Sequence, residues 1–166
     1  MTFMKRRMLI LLAAAMVLLL TACGNRTAET QAVTAEPAAE EPGKTLAEKA
    51  EDALRDAGEL TPFDENDLTD MAGIQPEDYS DYVFFQGDVL TGREILALRA
   101  KDETAAEKLA GQMEKYLERR REENKNYAPK AYQALCEARV ERKNLLLVMI
   151  SGDNAETETA AMLAGE

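Results

Sequence analysis

Leu145 to Ile150 sets six apolar residues in a row within a chain that is 31% charged. A strand with one wet face alternates apolar and polar side chains. This run does not, so it is expected to be a central strand covered on both faces. Ala138 to Arg142 precedes it across a turn at Lys143-Asn144, which makes the pair a hairpin. Tyr82-Val83-Phe84-Phe85, bounded by Gly87-Asp88, reads as another strand, and Glu94 to Ala100 as the next. In the latter, Leu96, Leu98 and Ala100 share one face, while Ile95, Ala97 and Arg99 share the other.

Between these strands the apolar residues recur at helical spacing. Thr45-Leu46-Ala47-Glu48 has the form of a capping box, and Leu46, Ala50, Ala53, Leu54 and Ala57 follow at helical intervals up to Gly58. A helical turn is expected from Asp64 to Met71, closed by Gly73, and a short turn at Pro76-Glu77-Asp78. Asp102 can cap a long helix running to about Asn124, with Ala106, Leu109, Met113, Tyr116 and Leu117 as its apolar stripe. A shorter helix starts at Pro129 and carries Tyr132, Leu135 and Cys136 on one side. Asp153-Asn154-Ala155-Glu156 opens a terminal helix in a capping-box-like pattern, with Ala160, Met162 and Leu163 as its apolar residues. The expected fold is α+β: a mostly antiparallel four-stranded sheet with helices packed on one face. The expected order is helix-strand-strand-helix-helix-strand-strand-helix.

Ahead of this domain the chain has a different character. Lys5-Arg6-Arg7 precedes a thirteen-residue apolar run, Met8 to Leu20. That is too short for a membrane span, which takes about 20 residues, and suits the core of a secretory signal. Leu20-Thr21-Ala22-Cys23 follows and resembles the bacterial lipobox. The resemblance implies cleavage before Cys23 and a thioether-linked diacylglycerol on it, with a further N-acyl chain left open. Gly24 to Gly43 is rich in Ala, Glu, Thr and Pro, too poor in apolar residues to offset its conformational entropy. As a flexible coil it would span about 25 Å. The expected organisation is a signal peptide at 1–22, the lipidated cysteine and a tether at 23–43, and one α+β domain at 44–166.

The net charge of −11 becomes −14 once residues 1–22 leave with three basic residues and no acidic one. Such a body repels nucleic acid and anionic lipid surfaces. Histidine is absent, which removes the commonest metal ligand and the commonest general base. With Cys23 lipidated, Cys136 is the remaining thiol. No cofactor, metal or catalytic residue is expected.

The whole mature domain resembles a family of Gram-positive lipoproteins carrying a domain of unknown function, number 4358. The residues behind this are the lipobox; Ala72-Gly73-Ile74 with Pro76-Glu77-Asp78-Tyr79; Glu94-Ile95 opening a strand that ends at Lys101-Asp102; Tyr127 with Pro129; and Leu147-Val148-Met149-Ile150-Ser151. Phe84-Phe85-Gln86-Gly87 departs from the family pattern, as does Arg142-Lys143-Asn144, where a glycine is expected in the turn. The family has no assigned activity, so the resemblance carries over no functional residue.

Four clusters have a bland and a functional reading. Asp64-Glu65-Asn66-Asp67-Leu68-Thr69-Asp70 lacks the glycine and the alternation of a calcium loop and suits a helix N-terminus. Arg119-Arg120-Arg121, flanked by glutamates, is expected to be a solvated helix face. Cys136 is expected to be a buried, inert thiol. Tyr79, Tyr82, Phe84 and Phe85 supply core packing, with any exposed remainder a recognition surface.

The function expected is a lipid-anchored, non-catalytic binding or accessory module on the outer face of the bacterial cytoplasmic membrane. It would be monomeric, held to the membrane through Cys23, and have a protein or cell-wall partner. The alternatives are a carboxylate-based hydrolase of wall or glycan substrates and a small-ligand carrier.

Overall fold

The computed structural model describes residues 44–54 and 58–166. Ten elements follow in the order α1 (Leu46–Ala53), β1 (Thr61–Pro62), α2 (Glu65–Ala72), β2 (Tyr79–Gln86), β3 (Glu94–Ala100), α3 (Glu103–Asn124), α4 (Pro129–Glu137), β4 (Val140–Lys143), β5 (Leu146–Ser151) and α5 (Ala155–Met162). The fold is α+β. The sheet runs β1-β2-β3-β5-β4, and every neighbouring pair is antiparallel.

Two parts of the expected architecture are corrected. The sheet has five strands, not four, and the order gains both β1 and the full helix α2. β1 pairs Thr61 with Gln86 and Pro62 with Phe85 at the sheet edge. Two residues are too few to show a period of two, and the edge is where a sheet tolerates a proline. The second correction concerns the helices, which cover both faces of the sheet. On the first face lie Phe84, Leu96, Leu98, Leu147 and Met149, packed against α3 with help from Leu68 of α2 and Leu135 of α4. On the second lie Val83, Ile95, Ala97, Leu146, Val148 and Ile150, packed against Leu46 and Ala50 of α1 and Met162 of α5.

The strand alternation and the α3 stripe stand as expected. Every residue of β5 is buried, as a central strand with two covered faces requires. α3 buries Ala106, Leu109, Met113, Tyr116 and Leu117, and Asp102 caps it by accepting from the Ala105 N–H at 2.8 Å. The expected box of Thr45 with Glu48 forms on α1, and a box that the sequence reading did not name, Asp64 with Asp67, forms on α2. The acidic run at 64–70 is thus used in capping, as the helix N-terminus reading has it.

Some local expectations shift. α1 ends at Ala53, and Ala57 lies outside the described residues. α5 gains no side-chain cap from Asn154, and it buries Glu158, Thr159 and Met162 while Ala160 is exposed. The hairpin turn sits one residue later than expected, since Lys143 pairs with Leu146. Asn144 takes a φ of 53° there, a left-handed position that asparagine enters more readily than most residues. That explains why the turn works without a glycine.

Candidate functional site

β2 and β5 end side by side with the start of β3 between them, and both run straight into a Gly-Asp pair, Gly87-Asp88 and Gly152-Asp153. Arg93, just before β3, lies between the two glycines. A Cβ on either one would stand 2.9 Å from the Arg93 side chain, and Gly152 has a φ of 119° that a side chain would strain. The sheet end therefore leaves a slot only as wide as a guanidinium stem. Within it, Arg93 Nη1 donates to the Ser151 carbonyl at 3.0 Å. Its Nη2 donates to Glu158 Oε1 at 2.8 Å and lies 2.7 Å from Glu158 Oε2. Both partners are largely buried, so the ion pair is a fixed part of the wall.

In front of this pair is a half-open cleft of about 510 Å³. Gly58, Glu59 and Thr61 line one side, Asp88 and Thr91 the β2–β3 loop, Lys130 the start of α4, and Asp153 and Asn154 the approach to α5. Among the described residues, no aromatic or large apolar side chain lines it. Glu59, Asp88, Lys130 and Asp153 are exposed, and their charges face solvent across the opening. Asp88 Oδ1 accepts from the Leu90 N–H at 2.9 Å and so shapes the loop. The same loop carries Val89 and Leu90, which are 58% and 54% exposed. Its far end is fixed by Gly92, with a φ of 68°, where a Cβ would come within 2.7 Å of the Ala131 backbone.

On the opposite side of the same sheet end is a buried polar network. Glu94, 1% exposed, accepts from the Tyr116 hydroxyl at 2.7 Å and from Arg120 Nε at 2.7 Å. Burial, then the charge and hydrogen bond of Glu94, push the Tyr116 hydroxyl well above the ordinary tyrosine range. Burial works against the Arg120 charge, but the hydrogen bond and charge of Glu94 outweigh it and hold the guanidinium above its usual value. The Glu94 N–H donates to Ser151 Oγ at 3.0 Å, and Ser151 donates in turn to the Gly92 carbonyl. The network so bonds β3 to β5, to α3 and to the cleft loop.

The aromatic residues considered for recognition are mostly inside. Phe84 is 1% and Tyr79 5% exposed. Phe84 meets Tyr116 edge-on at 6.0 Å between centroids, and Tyr79 meets Tyr82 at 5.4 Å. Tyr79 also donates to Glu65 at 3.0 Å. Tyr82 and Phe85 are partly buried on opposite faces, each against its own core. Cys136 is half-buried and free, rather than fully buried, because α4 turns Ala131 and Leu135 to the core instead.

The three arginines of α3 correct a further expectation. Arg119 is exposed, as a solvated face requires, but Arg120 and Arg121 are partly buried, and all three reach other elements. Arg119 donates to the Met71 carbonyl at the end of α2 and lies 5.4 Å from the Tyr116 ring centroid. Arg120 takes Glu94. Arg121 donates to the Leu135 and Ala138 carbonyls, at 2.9 and 3.1 Å, where α4 ends.

The lipobox residues Leu20, Thr21, Ala22 and Cys23 lie outside the described residues. Among the described residues, no helix is long and apolar enough to cross a membrane, and no group of three or more acidic or cysteine side chains is placed to hold a metal ion. The cleft escaped sequence reasoning because its walls come from loops far apart in the chain. The repeated Gly-Asp after an apolar strand was its one signal.

A family model described as a domain of unknown function, DUF4358, matches residues 52–152. No curated protein and no solved structure matches the chain.

Proposed function

The chain belongs to the DUF4358 family, and from that premise we propose that it is a lipid-anchored binding or accessory module of the bacterial cell surface. In this reading lipid on Cys23 holds the protein at the outer face of the cytoplasmic membrane, and residues 23–43 act as the tether. The domain then engages a protein or cell-wall partner without catalysis. The observation that carries the binding half is the cleft, a concave polar surface whose loops stand on rigid strand ends. Both sheet faces are occupied by helices, so neither is left open to a partner. The anchoring half rests on the placement of Cys23 after a short apolar run.

Two measurements test the halves separately. Cys23→Ala should move the protein from the membrane fraction to the soluble fraction, and retention in the membrane would sink the anchoring. Crosslinking on intact cells should capture a specific partner with the natural chain and lose it with Asp88→Lys at the cleft mouth. Equal capture by both would remove the cleft from the account.

A second reading has its own observation. Glu59, Asp88, Asp153 and Glu158 all line the cleft, and hydrolysis by paired carboxylates needs two such groups about 5–10 Å apart. Against it, Glu158 is already tied to Arg93. Release of soluble fragments from wall material, abolished by Asp88→Asn or Asp153→Asn, would favour this reading over the first.

A further inference from the structure

The second sheet face is closed by two helices of eight residues each. A helix that short has little stability of its own in water and depends on what it packs against. α1 contributes Leu46 and Ala50 to the buried surface, and α5 contributes Met162. Ala53, Leu54, Ala155 and Leu163 pack partly buried against the same core, and polar contacts tie the ends of the closure. Lys49 of α1 donates to the Ala164 carbonyl at 2.8 Å, beyond the end of α5, and pairs with Glu166 at 3.0 Å. Glu166 in turn accepts two hydrogen bonds from Arg99 of β3, at 2.8 and 2.9 Å. One carboxylate thus joins α1, the end of α5 and the sheet. At its other end α1 is pinned by the Leu46 N–H donating to Asp81 of β2 at 2.7 Å.

α5 also belongs to the cleft, through the Glu158–Arg93 pair. We infer that α1 and α5 form a single strap over the second face, clasped by Lys49, Glu166 and Arg99, which opens as a unit while the α3 side stays folded. Opening the strap withdraws Glu158 from Arg93, so strap closure and an intact cleft wall are the same event. Lys44, the first described residue, lies two positions before α1. In an anchored chain, tension along residues 23–43 therefore reaches the strap before anything else. That last consequence rests on the proposed anchoring, whereas the strap itself does not.

Native-state hydrogen exchange on the full-length chain, with Glu166→Gln and separately Lys49→Met, tests the strap. Amides of α1 and α5 should exchange together in the natural chain, faster than those of α3. Each variant should accelerate both helices by a common factor of about tenfold and leave α3 unchanged. Acceleration confined to residues 163–166, an equal acceleration of α3, or no change would each overturn the inference. A domain that exchanges as predicted but is not membrane-bound would leave the strap standing and the anchoring refuted.

Discussion

The two faces of the sheet are closed by opposite means. The first is covered mainly by one helix of 22 residues whose buried positions recur turn after turn, flanked by α2 and α4. The second is covered by two eight-residue helices with three fully buried apolar side chains between them, held by charges at their ends. Dispersion and hydrophobic burial act over the whole length of α3 and need no single residue. The clasp around Glu166 acts at one point. The molecule therefore has a side held by distributed packing and a side held by a few polar ties, of which Glu166 joins the most parts.

The largest expected effect lies on the first side. Glu94→Ala removes the buried partner that Arg120 and Tyr116 share, leaving Arg120 only the exposed Glu123, and should cost about 3–5 kcal/mol in a denaturant titration. A loss below about 1 kcal/mol would mean that water reaches Arg120 easily. Next comes Leu109→Ala, expected at about 2–5 kcal/mol from lost burial and a cavity. Leu46→Ala, equally buried on the second side, should cost less in global unfolding, about 1–2 kcal/mol, because the strap can open locally instead. Equal costs for the two leucines would abolish the contrast between the faces.

Smaller effects sharpen it. Thr45→Ala removes the α1 cap and should cost about 1 kcal/mol, read as faster exchange in α1. The pH dependence has a definite sign. Arg99 above all, with Lys49, holds the Glu166 carboxyl down to about 2 from an ordinary 4.5. A depressed folded value stabilises the fold fully above 4.5 and loses that contribution as pH falls toward about 2. Second-face protection, corrected for the intrinsic pH dependence of amide exchange, should therefore be insensitive to this group from neutral pH to about 5, then fall on acidification. In Glu166→Gln that acid-dependent step should vanish, and its persistence would assign it to another carboxylate.

Much of this was legible in the chain. The stripe from Ala106 to Leu117, the two faces of β3, the capping box at Thr45 and the acidic helix start at Asp64 are local patterns, and these survive folding. The apolar run at Leu145 to Ile150 even required two covered faces, which contradicts helices on one side alone. Both covering helices were legible, α1 from the spacing of Leu46, Ala50 and Ala53, but the sheet face that each covers is not encoded in its period. The cleft was illegible for a different reason. Arg93, Lys130 and Glu158 meet only through the strand order, which periodicity does not encode. Arg120 and Arg121 looked like solvent-facing charge because nothing local reveals that β3 and α4 meet them.

Those three arginines settle a mechanical question about α3. Successive residues on an α-helix point about 100° apart, so the three guanidinium groups leave the axis in three directions. One finds the end of α2, one the start of β3, and one the end of α4. A smooth apolar stripe would let a helix roll a few degrees to suit a repacked core. This helix is keyed against rolling, so a change in its stripe must be absorbed by the side chains around it.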